Sequence, residues 1–126
     1  MTLQIGEVFS WSKSFTEEET LQFAELSGEK GRHLMERDEN GRFMVPGLFT
    51  ASLGVKIGGE LNVVIKEMVN EYIRPVYTGD TITCKLTVTN VEQRNGYQEV
   101  TFSAQNYNQQ GKDVLLGSSQ GIIWDK

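Results

Sequence analysis

Cysteine and histidine occur once each in the 126 residues, as Cys84 and His33, and proline occurs twice. A single cysteine leaves no internal disulfide and no multi-cysteine metal site, so a reducing cytoplasm is the expected setting. Zinc would have to rely largely on carboxylates, against its preference for nitrogen and sulfur, and no metal site is expected. Cys84 falls within DTITCKLTVTNV, whose period-two alternation suits a strand, and it reads as a packed, unreactive thiol.

Basic clusters are missing too. Lys and Arg number 12 against 17 Asp and Glu, a formal net charge of −5, so nucleic acid is not an expected partner. No apolar run approaches the roughly 20 residues that cross a bilayer, and no membrane association is expected. The start, MTLQIGEVFSWSK, lacks a basic segment followed by an apolar one, which predicts a soluble, unprocessed chain. The length fits one domain over residues 1–126, with no internal repeat or linker. An active site must then lie within that domain or be shared with another copy.

What is present is a clear succession of elements. VFSWSKSF alternates and predicts a short strand with one aromatic face. Thr16 is a good N-cap with Glu19 three residues on, so a helix begins there in a capping box. Leu21, Phe23, Ala24 and Leu26 supply its apolar stripe, and Gly28 is placed to stop it. Glu29 and His33 therefore fall in the loop just beyond, within a polar stretch that turns at Asn40-Gly41.

VPGLFTASLGVKIGG predicts a second, mostly buried helix opened by Pro46 and closed by Gly58-Gly59. Four strand candidates follow, separated by turns at Thr78-Gly79-Asp80, Asn95-Gly96 and Gln110-Gly111. A buried helix beside antiparallel strands is covered most economically when the sheet curls around it, an α+β architecture. So short a sheet leaves edge strands open, and pairing with a second copy is expected.

From FTEEETLQFAELSGE through VPGLFTASL to IRPVYTGDTI, the chain resembles the MaoC-like (R)-specific enoyl-CoA hydratases and dehydratases, which have the hotdog fold. The resemblance spans nearly the whole chain. In that family a helix ending in Ser-Gly-Asp precedes Asn-Pro-x-His, a glycine opens the central helix, and a Pro-Val-x-x-Gly-Asp turn comes later. Here Gly47 and the Pro75 to Asp80 turn match. The acid/base segment departs: Glu29 stands four positions before His33, and Lys30-Gly31 replaces Asn-Pro.

Hydrating a double bond conjugated to a thioester requires a base for water, a proton for the α-carbon, and donors for the enolate oxygen. A histidine can give or take a proton, which suits His33 to acid/base work, and Glu29 can orient its ring or share the attacking water. Gly47, if it opens the helix, offers a free N–H at the positive end of the helix dipole. The resemblance implies the same role for Gly47 and an acyl-CoA thioester as substrate; no separate cofactor is expected, because the substrate thioester itself stabilises the enolate, and the expected assembly is a homodimer or a higher even-numbered oligomer. Arg32, Arg37, Arg42, Lys56 and Arg74 are candidates to meet phosphates of CoA. A thioesterase of the same fold and a non-catalytic acyl-thioester binder are the alternatives.

Overall fold

The computed structural model describes residues 2–126. Strand β1 (Val8–Ser14) leads into helices α1 (Glu17–Ser27), α2 (Arg32–Met35) and α3 (Gly47–Glu60). Strands β2 (Val64–Tyr72), β3 (Thr81–Gln93), β4 (Tyr97–Tyr107) and β5 (Asp113–Trp124) complete the chain. The strands form one sheet in the order β1-β3-β4-β5-β2, antiparallel throughout. Asn95-Gly96 turns β3 into β4 as expected, with the Arg94 N–H donating to the Tyr97 carbonyl at 2.7 Å.

Helix α3 packs against both edge strands, β1 and β2, and against β3. A flat sheet of this width measures about 19 Å between its edges, against a helix about 10 Å across, so the sheet must curl around α3 to reach it from both sides. The shared core is apolar. Leu53 and Ile57 of α3 meet Ile82, Cys84, Leu86 and Val88 of β3 and Val100 and Phe102 of β4, all buried. Alternate residues of β3 are buried, the pattern of a strand with one face inward. On the outer face of the β1–β3 pair, Ser12 and Ser14 are hydrogen-bonded to Thr83 and Thr81, each at 2.7 Å.

Helix α1 starts and stops where its sequence indicates. The Thr16 hydroxyl accepts from the Glu19 N–H at 3.1 Å, and the Glu19 carboxylate accepts from the Thr16 N–H at 3.3 Å. Lys13 donates to the same carboxylate at 2.6 Å and, with Thr16, holds its pKa below the usual carboxylate value. Gly28 ends the helix at φ 75°, a conformation that costs glycine little. Phe23 of α1 stacks on Phe49 of α3 at 5.0 Å, and Phe15 meets Phe49 edge-on at 4.8 Å. This aromatic cluster fixes α1 over the start of α3.

Two expectations need correction. Pro46 is the N-cap of α3, and the helix runs through Gly58 and Gly59 to Glu60. Gly58 is buried beside Val63 and Ile65, where a β-carbon would make ordinary contact at 3.9 Å, and Asn62 takes the left-handed conformation at φ 62°. The second concerns His33, which lies in the one-turn helix α2 rather than in open loop. Among the described residues, no helix is long and apolar enough to cross a membrane.

The capping box predicts a measurable cost. Thr16→Ala should lower stability by about 1 kcal/mol, read as a lower urea midpoint at unchanged slope; an unchanged midpoint would show that the aromatic cluster alone sets the start of α1.

Candidate active site

A cavity of about 640 Å³ opens at the N-terminal end of α3. Its walls come from three places: Glu29 just after α1, Gly47 and Thr50 on the first turns of α3, and Tyr72 at the end of β2 with Arg74 just beyond it. The aliphatic side chains of Val45, Leu48, Ile73 and Val76 line much of the rest. An apolar hollow with a few convergent polar groups is the ordinary form of a small-molecule site.

The first turn of α3 supplies donors. The Pro46 carbonyl accepts from Phe49 and Thr50 at 3.0 and 3.2 Å, and the N–H groups of Gly47 and Leu48 have no partner among the described residues. They stand at the positive end of a helix 14 residues long. Gly47 has little room. A β-carbon there would lie 2.7 Å from Cε1 and 2.9 Å from Cζ of Tyr72, so the tyrosine ring takes up the space that a side chain at position 47 would need.

Thr50, 2 % exposed, has a hydroxyl with no hydrogen-bond partner among the described residues. Thr20 in α1 shows the usual solution for a buried helical threonine, donating to the Thr16 carbonyl at 2.8 Å. A buried hydroxyl left unpaired costs about 1–3 kcal/mol, and the one that does so borders this cavity.

The three residues singled out in the sequence are divided by the fold. Glu29 and Gly47 border the cavity together. His33 lines a neighbouring hollow of about 500 Å³ with Arg32, Arg37, Arg42 and Tyr77, and Met44 lies on the rim common to both. The His33 ring rests on Gly31, where an added β-carbon would come within 2.8 Å of its Cε1. Lys30, beside Glu29, pairs with Glu25 at 2.6 Å, which leaves the Glu29 carboxylate without an ion-pair partner among the described residues. Ser27 closes the helix end, accepting from the Glu29 N–H at 3.1 Å. Ser52 donates back to the Phe49 carbonyl at 2.5 Å.

The five candidate cations also separate. Arg37, Arg42 and Lys56 are paired with Glu17, Asp38 and Glu60 at 2.6, 2.9 and 2.9 Å, and Arg32 stands 4.0 Å from Glu36. Arg74 borders the cavity and has no carboxylate partner among the described residues, its Nη1 donating to the Asp113 carbonyl at 2.8 Å. Tyr72 gives no signal in the sequence, where it reads as one more strand aromatic. Thr78-Gly79-Asp80 is a structural turn: Asp80 accepts from the Tyr77 N–H and from Gln109, both at 2.9 Å.

A curled antiparallel sheet around one helix, with a cavity at the start of that helix, defines the hotdog class. The (R)-hydratase from A. caviae involved in PHA biosynthesis superposes with a TM-score of 0.85 at 22% identity, covering 98% of both chains. Protein af1124 from Archaeoglobus fulgidus gives 0.84 at 25% identity, covering 98% of this chain and 81% of its own. R-hydratase PhaJ1 from Pseudomonas aeruginosa gives 0.85 at 20%, covering 98% and 83%. No curated protein sequence matches the chain significantly.

The family model for the FAS1-like, dehydratase domain region matches residues 5–116. The chain belongs to that family, and its fold is that of a lyase-type hydratase/dehydratase domain.

Cys84 takes no part in the cavity. Burial pushes its thiol up to about 11 from the ordinary 9.0, so at pH 8 it carries about a hundredth of the usual thiolate. The native protein should react with a disulfide reagent at least ~100-fold more slowly than the urea-unfolded chain; equal rates would show that the strand opens readily.

Proposed function

We propose that the protein catalyses reversible syn addition of water to 2-enoyl-CoA thioesters, giving (R)-3-hydroxyacyl-CoA, in cytoplasmic fatty-acid metabolism. The observation that carries this reading is the joint position of Glu29 and Gly47 on one cavity of a dehydratase-family fold. The (R)-hydratase identity of two superposing proteins supports the hydration reaction and the product's hand.

In this reading the thioester oxygen sits at the Gly47 N–H, where the helix dipole and the free donor stabilise it as it gains charge. Water attacks the β-carbon while its proton passes to Glu29, and Glu29 returns that proton to the α-carbon on the same face, so the overall change is the addition of one water and the carboxylate is regenerated. His33, across Met44 from the cavity, relays protons with Glu29 once its ring turns over that rim. Arg74, the cation without a carboxylate partner, meets a phosphate of CoA.

Kinetics on crotonyl-CoA test these roles. Glu29→Gln should lower kcat by about 10²- to 10⁴-fold, and His33→Ala by about 10²-fold. Gly47→Pro suits the backbone, since Pro46 lies at φ −56° and ψ 140° and proline is favoured at the first helical position. It should cost a further 10²- to 10³-fold or so beyond Gly47→Ala, because both crowd Tyr72 and only proline removes the N–H. Equal losses in the two would mark Gly47 as a packing residue, and wild-type rates in both Glu29→Gln and His33→Ala would remove the acid/base assignment.

A thioesterase is the second reading, favoured by the placement of the carboxylate in the cavity and the imidazole outside it. The same assay decides. Hydration removes the conjugated-thioester absorbance without releasing free CoA thiol, whereas thioester hydrolysis releases the thiol.

The functional unit is a homodimer or a higher even-numbered oligomer. Strand β2 is a sheet edge with Val64 and Val69 exposed, and Leu48 and Val55 lie exposed on α3. Pairing of β2 edges would satisfy the open backbone and cover apolar surface. Light scattering at micromolar concentration should give twice the 14.2 kDa chain mass or an even multiple of it; a stable monomer would overturn the assembly.

A further inference from the structure

The cavity has a second hydroxyl-bearing donor at the point where Gly47 presents its N–H. Tyr72 is the last residue of β2, held in register opposite Leu115 of β5. The atoms of its ring nearest the β-carbon position of Gly47 are Cε1, Cζ and Cδ1, at 2.7, 2.9 and 3.2 Å. Cζ is the carbon that carries the hydroxyl, so the phenol end of the ring lies against the glycine. The hydroxyl makes no hydrogen bond to any described residue, and the side chain, 50 % exposed, borders the same cavity as Glu29 and the buried, unpaired Thr50 hydroxyl.

A tyrosine placed only to pack would serve equally as phenylalanine. Here the ring edge from Cδ1 to Cζ lies against the first residue of the helix, on an edge strand whose backbone is fixed by pairing with β5. One N–H on a carbonyl oxygen leaves a lone pair free, and an oxyanion is best held by two donors arriving from different directions. The absence of a side chain at position 47 allows the phenol to approach from the β2 side while the N–H approaches along the helix axis.

We propose that Tyr72 is a catalytic residue, its hydroxyl donating a second hydrogen bond to the thioester oxygen held by the Gly47 N–H. The proposal rests on the thioester reading of the cavity. No bond to Tyr72 forms or breaks: the hydroxyl keeps its proton and strengthens its hydrogen bond as the oxygen gains charge. The phenol also closes one side of the cavity mouth, so part of its effect is exclusion of water, which phenylalanine would retain.

Tyr72→Phe separates the hydroxyl from the ring. The variant should keep the wild-type melting temperature and nearly the wild-type KM for crotonyl-CoA, while kcat falls on the order of 10- to 100-fold, the worth of one hydrogen bond to a group gaining charge. Infrared spectra of bound crotonyl-CoA carrying a ¹³C label at the thioester carbonyl give the second readout. The carbonyl stretch should lie below its value in water in the wild type and rise in Tyr72→Phe. Wild-type kcat in Tyr72→Phe, or a fall in kcat with an unmoved carbonyl stretch, would overturn the proposal. A wild-type protein that binds crotonyl-CoA with the lowered stretch, loses it in Tyr72→Phe and yet hydrates nothing would overturn the hydratase reading alone. Failure of the wild type to bind crotonyl-CoA would overturn both.

Discussion

Burial of α3 inside the curl of the sheet is the constraint from which the rest follows. Leu53 and Ile57 are removed from water by β3 and β4, and Ala51 is buried in the same core. Packing encloses one face of the helix and leaves Val55, Lys56, Gly59 and Glu60 exposed on the other, and its first turn stands at the border of the cavity. The free N–H groups of Gly47 and Leu48, which every helix has and most cover with a cap or water, therefore open onto a cavity. The site is a consequence of packing before it is a collection of catalytic groups.

The rest of the cavity is brought to that point by neighbours of α3. The Phe15, Phe23 and Phe49 cluster locks α1 over the start of α3, and the left-handed turn at Gly28 then sends Glu29 to the cavity wall. Strand β2 ends at Tyr72, and the chain continues past Arg74 along the opposite wall. Three segments distant in sequence meet at one helix terminus. Their side chains differ in chemistry: one carboxylate, one phenol and one guanidinium, around backbone donors of a single sign. That combination suits an uncharged substrate atom that becomes negative during reaction, with an anionic carrier held further out.

Much of this was legible in the chain. Thr16, Glu19 and Gly28 mark the two ends of α1 because capping is local chemistry, decided within four residues of sequence. Asn95-Gly96 marks the β3–β4 hairpin for the same reason. The end of α3 was not legible: Gly58-Gly59 looks like a stop, but burial of Gly58 against β2 and of Leu61 in the core carries the helix to Glu60. Tertiary packing outweighs the roughly 1 kcal/mol that each interior glycine costs.

The sequence by itself determined the class of fold, the apolar central helix, the helix-opening Gly47 and the presence of one carboxylate and one imidazole after α1. Periodicity, capping and turn chemistry act over a few residues, so a linear reading captures them. Only the tertiary structure decided that Glu29 and Gly47 share a cavity while His33 lies across Met44 in the next hollow. It alone placed Tyr72 against Gly47 and left Arg74, of five candidate cations, beside the cavity without a carboxylate. Those are relations between residues separated by tens of positions, set by how the sheet curls around α3, and no local pattern encodes them.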